Sequence, residues 1–508
     1  MLSSVGLQSE TFSHKENSVV VVGSGPAAAA ATLALIENGI DVTLLEAGQE
    51  RAALGLTVRV AGLTMARIHR QLSPRLDGVV MTGDAGALLY EDVAPGGLTN
   101  HWSCAVPRFS RDDFADARRA GEAFTWPVDY DDLAQWYDWV EPRLCISGSA
   151  SDVPQLPAGK VADVRALAPS WQPIATEARL AGQAVVPVPY VYGARTTLTF
   201  SGTVFNSFVR LIRPARRSRY LTLRFGAQAI RLEWSGANRR VAAVIVRDTQ
   251  TGSTTRIACR AVVVAAGAIN TTKLLLQSTD ADFPEGLGNT HGVLGRYLHD
   301  HPLGKLMIDL GAPLSFAPAA YVTRQPLNRS SPLYAAACLQ WSGVHLLLRS
   351  VLKGRPGHLP SCGFSVFGTM APSESNFVAL DEARTAADGT AALRLNIAYP
   401  PEAAATLTAA RDQLINLLDS AHLQPRTQLW LIDAVGSAIH YAGTCRMHAS
   451  PRFGMLDAWS RLHAVKNVVV ADSSAFTTGP EKNPVLTAMA LAARASHRLA
   501  EDLRTGVI

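Results

Sequence analysis

Residues 19–31 read VVVVGSGPAAAAA, and this stretch decides the fold. The apolar, β-branched run at residues 18–22 reads as a buried strand, a glycine turn follows, and an alanine-rich segment to about residue 38 reads as a helix. Residues 41–45 make the next strand, so the three pieces form a β-α-β unit of the kind that opens a doubly wound sheet. The turn Gly23-Ser24-Gly25-Pro26-Ala27-Ala28 fits GxGxxA between strand and helix. Gly23 permits the tight turn, and Gly25 lets backbone approach a phosphate with no Cβ in the way. Ala28 allows the helix to pack close to the strand, and the helix N-terminus offers N–H groups to a pyrophosphate. Glu46, at the end of the second strand, is placed to accept from a ribose hydroxyl pair. Such a loop serves FAD and NAD alike, and the LLEAG at residues 44–48 tips it towards FAD.

Further along, residues 261–267 (AVVVAAG) form a second fully buried strand, with a helix beginning at residues 270–277. Residues 468–471 make another short strand, and a last helix runs from about residue 484 to 503. Residues 220–246 alternate in period two and suggest a hairpin or meander. Residues 126–144 read as a helix with Pro127 in an early position. Residues 302–424 look like a separate sheet-based layer, residues 52–90 are ambiguous, and residues 1–16 read as a loose tail. The expected fold is α/β: a Rossmann-type domain assembled from residues 17–110, 202–301 and 425–508, with a substrate-binding cap at 111–201 and 302–424.

Composition excludes several classes. The chain has 508 residues, 48% hydrophobic and 18% charged, which is enough for a substantial core and leaves no disordered bulk. A net charge of +5 is too small and scattered for a nucleic-acid partner, and the densest basic run, residues 210–219, reads as a solvated loop. The start has no signal-peptide pattern and no apolar run of about twenty residues occurs, so no membrane role and a cytoplasmic location are expected. Cys104, Cys145, Cys259, Cys338, Cys362 and Cys445 are widely spaced with no CxxC. That argues against disulfides and a zinc site, and for small core residues.

Five segments together resemble the glucose–methanol–choline (GMC) oxidoreductase family, whose members bind FAD and oxidise alcohols. They are residues 95–102 (PGGLTNHW), 126–130 (WPVDY), 265–271 (AAGAINT), 440–447 (HYAGTCRM) and 483–487 (NPVLT), in the family's order and spacing. Within the family, residues 99–109 (TNHWSCAVPRF) and 483–489 (NPVLTAM) are most similar to the pyranose oxidase branch. The resemblance implies FAD as cofactor, with a possible covalent attachment at His101, and a sugar, glycoside or polyol as substrate. A non-sugar alcohol, or a flavin-containing lyase with no net redox, are the alternatives. Oxygen, a quinone or another acceptor would take the electrons.

Oxidising an alcohol with flavin needs hydride transfer to N5 and removal of the hydroxyl proton, so the protein must supply a base. The resemblance places that base at His440, at the head of HxxGTxRM, and Asn483 where a second histidine or an asparagine holds the substrate oxygen. It also implies that Gly97, Thr99 and His101 lie near the flavin ring, Ala229 near adenine, and Ala266 and Gly267 at a second strand-to-turn contact. Asp472 and Ser473 are expected near the pyrophosphate or ribityl chain, and Pro484 and Leu486 beside the isoalloxazine. His299 and His301 flank Asp300 at a spacing that would suit two metal ligands on one strand face. The family has a similar metal-free segment, so a structural role is expected. His463 is likewise expected to be structural. His448 replaces the family's usual glycine and has no functional reading.

Overall fold

A computed structural model describes residues 18–50, 76, 79–84, 86–100, 102–191, 205–311, 314–315, 318–325, 333, 336–340, 362–386 and 389–508. The loose tail and His101 lie outside the described residues, as does most of the ambiguous 52–90 stretch.

The opening unit is β1 (Val19–Val22), α1 (Pro26–Glu37) and β2 (Val42–Glu46). Leu221–Phe225 (β3), Ala261–Val264 (β4) and Val468–Val470 (β5) complete a parallel sheet in the order β5-β4-β1-β2-β3. Helix α2 (Ala268–Gln277) follows β4, and α3 (Val485–Thr505) closes the chain. Every residue of β1, β2, β4 and β5 is buried, which is why β1, β4 and β5 are continuous apolar runs and only Thr43 and Glu46 of β2 are polar. Helix α1 packs against α3, and the buried alanines Ala27 to Ala31 allow the close approach.

Strand β3 corrects the sequence reading at residues 220–246. It joins the parallel sheet, and the antiparallel meander starts only at Ala227–Ser235, continuing through Arg240–Asp248 and Thr254–Ala258. The helix expected at 126–144 begins at Tyr130. Asp129 accepts the N–H groups of Asp131 and Asp132, and Asp132 accepts that of Asp129 in return. This capping box starts the helix at Tyr130, so Pro127 lies before it rather than within its first turn. The basic run at 210–219 is helical at its start, through Phe208–Ile212 and Arg213–Ala215, although its arginines are exposed.

The second layer is a six-stranded antiparallel sheet in the order Arg426–Ile432, Leu303–Asp309, Cys362–Gly368, Ala336–Gln340, Ala320–Val322, Val185–Pro187. Helix Pro401–Ser420, absent from the sequence reading of this layer, packs Leu407, Leu414 and Leu418 against Leu306, Phe364 and Val366. All six cysteines are free, and five of them are buried. Among the described residues no helix is long and apolar enough to cross a membrane, and no group of three or more His, Cys, Asp or Glu side chains is placed to hold a metal ion.

Candidate functional site

The residues singled out in the sequence gather in two regions. The first is the dinucleotide turn. Gly23 has φ +102°, and a Cβ there would lie 2.5 Å from the Ala265 carbonyl oxygen at the end of β4. A Cβ on Gly25, in contrast, would meet nothing within 4 Å, and no side chain caps the α1 N-terminus that starts there. The turn is therefore closed towards the sheet and open on the side where an anion would sit against unpaired helical N–H groups. Glu46 is buried at the end of β2, with Oε2 accepting from Ser24 Oγ (2.5 Å) and Oε1 from the Gly48 N–H (2.7 Å). Burial raises its pKa, with those two hydrogen bonds opposing.

The loop at residues 95–100 is tied directly to this turn. Gly96 N–H donates to Ser24 Oγ (3.0 Å), and the Cβ position of Gly97 lies 3.9 Å from Gly25 Cα. Thr99 is buried with Oγ1 donating to the Gly96 carbonyl (2.6 Å), and it accepts from the Ser207 N–H (3.1 Å). On the far side of the turn, Gly267 (φ +84°) donates its N–H to Asp472 Oδ2 (3.0 Å), while Ala266 N–H donates to Thr271 Oγ1 (3.1 Å). Asp472 also accepts from Thr271 and Ser474, and Ser473 Oγ donates to the Tyr441 carbonyl (2.6 Å). Ala229 lies on the meander strand opposite Val246, and Leu486 is fully buried in the first turn of α3, behind Pro484. These residues outline a cradle with acids and glycines at its rim, which suits a dinucleotide such as FAD.

The second region joins residues far apart in the chain. His440 Nε2 lies 3.2 Å from Asn483 Nδ2, and His440 Nδ1 lies 2.8 Å from His301 Nδ1. The main-chain N–H of His440 donates to Asp300 Oδ1 (2.7 Å), and Tyr399 Oη donates to the His301 carbonyl (3.0 Å). The ring of Phe367, from the cap sheet, stacks on His440 at 5.8 Å. His301 is also bonded to the backbone of Pro480, which has no N–H and can only accept. With His301 Nδ1 accepting from His440 Nδ1–H, the arrangement that a donation to Pro480 favours, His440 presents Nε2 as the acceptor nitrogen facing Asn483. Burial, with the nearby His299 adding to it, pushes His301 down to about 3 and keeps it neutral. Burial pushes Asp300 up to about 7 against the N–H groups of His440, His301 and Ala438.

The structure therefore brings His440 and Asn483 together and adds His301, Asp300 and Phe367. His301 is a partner of His440, beyond the structural role expected of it, whereas Phe367 had no signal in the sequence. His448 has an account as well. Its Nδ1 accepts from the Ser450 N–H (2.9 Å) and its Nε2 donates to the Glu122 carbonyl (2.9 Å). His463 Nε2 bonds the His448 carbonyl (3.0 Å).

The sequence patterns of the family described as GMC oxidoreductase match residues 194–303 and 372–492. The chain is 26% identical to 2-methyl-1,2-propanediol dehydrogenase of Mycolicibacterium austroafricanum, over 96% of this chain and 95% of the relative. It is 28% identical to 6'''-hydroxyparomomycin C oxidase of Streptomyces lividus, over 96% and 91%. An FAD-dependent oxidoreductase from Chaetomium thermophilum shares the fold with a TM-score of 0.68 at 14% identity, over 96% of this chain and 100% of that one. With both halves of the family's pattern matched and its relatives aligned along nearly the whole length, the chain belongs to the GMC oxidoreductase family.

Proposed function

We propose that the protein oxidises an alcohol group of a sugar, glycoside or polyol, with His440 taking the hydroxyl proton and Asn483 orienting the oxygen. As a GMC oxidoreductase it is an FAD-dependent, alcohol-oxidising enzyme. When bound, FAD supplies the hydride acceptor. The N-terminus of α1 with Gly23, Ser24, Gly25, Pro26 and Ala27 would hold the pyrophosphate, and Glu46 the ribose. Gly97, Thr99 and Pro484 would lie beside the ring. The observation that carries the reading is the 3.2 Å approach of His440 Nε2 and Asn483 Nδ2, with the tautomer of His440 held by His301. An alcohol oxygen lying beside the pair, within reach of both nitrogens, would donate its proton to Nε2 and accept from the amide, which orients its carbon for transfer. The substrate class is supported by the names of the two relatives, a propanediol dehydrogenase and a paromomycin-type oxidase.

The test is anaerobic reduction of the bound flavin against a panel of sugars, glycosides and polyols, followed by admission of oxygen or a quinone to identify the acceptor. His440→Ala should slow reduction by about a hundredfold or more, and Asn483→Ala by about tenfold or more. Undiminished reduction in His440→Ala would remove the assigned base. Bleaching by other alcohols alone would overturn the substrate class.

A further inference from the structure

Five charged side chains are buried together next to the His440–Asn483 pair, and none takes part in the proton transfer. Glu481 and Lys482 immediately precede Asn483. Asp113 and Asp116 come from helix Arg111–Ala120, and Arg324 follows the cap strand Ala320–Val322. The Lys482 side chain is 0% exposed, and its Nζ lies 2.9 and 2.8 Å from the two oxygens of Asp113 and 2.9 Å from Glu481 Oε1. An ammonium carries three hydrogens. Three carboxylate oxygens from two side chains lie within its hydrogen-bonding reach, so the head group is fixed in place.

Asp113 is itself anchored, because Oδ2 also accepts the Ser110 N–H (2.6 Å) in the capping box of helix Arg111–Ala120. Arg324 sits 2.8 Å from Asp116 and 3.5 Å from Glu481, which brings the cap sheet into the same cluster. Burial disfavours the Lys482 charge, but Asp113 and Glu481 outweigh it and raise its pKa, so the ammonium stays charged. Desolvation costs several kcal/mol per buried ion, and apolar residues of similar volume commonly serve stability as well or better. A cluster this costly calls for a reason other than stability, and its position one residue before Asn483 supplies one.

We propose that Lys482 is a positioning residue: locked onto Asp113 and Glu481, it holds the adjoining backbone so that the Asn483 amide meets His440 Nε2. The inference rests on the reading of His440 and Asn483 as the alcohol-activating pair. Its test is a double-mutant cycle on the FAD-loaded protein, using whichever compound of the panel (myo-inositol, methyl β-D-glucoside, paromamine, 2-methyl-1,2-propanediol) reduces the flavin fastest. Lys482→Met should slow reduction by about ten- to hundredfold when Asn483 is present, and by less than about twofold in the Asn483→Ala background. Equal slowing in both backgrounds overturns the proposal. If Lys482→Met fails to fold, Lys482→Met/Asp113→Asn removes the stranded charge and takes its place in the cycle. A crystal structure of the same variant gives a readout that needs no substrate. Asn483 Nδ2 displaced beyond hydrogen-bonding reach of His440 supports the proposal, and an unchanged contact overturns it. If Asn483→Ala alone reduces at the wild-type rate, the alcohol-activation reading fails instead, and the crystallographic separation still decides whether Lys482 positions the amide.

Discussion

His299, Asp300 and His301 are neighbours in the chain, and two of them meet His440 while the third does not. His301 turns to His440, Asp300 accepts the His440 main-chain N–H, and His299 Nδ1 bonds the Tyr297 carbonyl (2.9 Å). Burial, with the Arg446 charge adding to it, pushes His299 from the ordinary 6.5 down to about 4. A histidine with a lowered folded pKa stays neutral while the unfolded chain takes up a proton. Its contribution to stability is therefore intact above about pH 6.5 and is lost as pH falls towards about 4. Between pH 7 and pH 5 this amounts to on the order of 2 kcal/mol. The raised pKa of Asp300 acts with the opposite sign, so the comparison must be between proteins that both retain it. Denaturant unfolding of His299→Gln should show a shallower loss of stability over that interval than the wild type, and parallel curves would refute the assignment. At this scale His440 and Asn483 were legible because each stands in a distinctive segment. His301 was not, since its partner lies 139 positions away and only folding reveals the contact. The spacing of His299 and His301 pointed to a shared strand face, whereas the two rings serve different neighbours.

Among the elements, the loop at residues 95–100 links the dinucleotide turn to the rest of the site. Gly96 has φ +93°, and a Cβ there would lie 2.3 Å from Asn206 Nδ2. Asn206 donates to the Pro95 carbonyl (3.0 Å) and to Asn100 Oδ1 (2.6 Å), so the side chain that would be displaced is the one that shapes the loop. Gly96→Ala should therefore cost on the order of 1–3 kcal/mol in backbone strain alone and should lose FAD during dialysis. The ratio of flavin to protein absorbance and a urea unfolding curve read the two effects, and full FAD retention at wild-type stability would contradict them. The β-α-β unit was legible element by element because local pattern and burial agree there. Helix Pro401–Ser420 was missed for a physical reason: its first half is largely alanine and threonine, so it has little apolar contrast, and the sheet it covers is what makes it a helix. Strand β3 was misplaced because its choice between the meander and the parallel sheet depends on β2, about 180 residues earlier in the chain.

At the scale of the whole molecule, the cradle draws on β1, the loop at residues 95–100, the turn after β4, and the segment between β5 and α3. No contiguous piece of the chain contains it, so a cofactor held there binds only when the parallel sheet has been assembled from all its parts. The cap is tied to that last segment by Arg324, which meets Glu481, and Phe367 stacks on His440, the partner of Asn483 in the same segment. Glu481 and His440 lie beside Asn483, and unfolding either layer alone would break the contacts of Arg324 with its carboxylates and of Phe367 with His440. Cap and nucleotide sheet should therefore unfold together. FAD at one hundred times its dissociation constant should stabilise the folded state by about 2.7 kcal/mol. Calorimetry of the apoprotein titrated with FAD should show one transition moving upward as a unit. Two resolved transitions, with only one responding to FAD, would mean that the cap folds independently and that the buried ionic joint does not couple the layers.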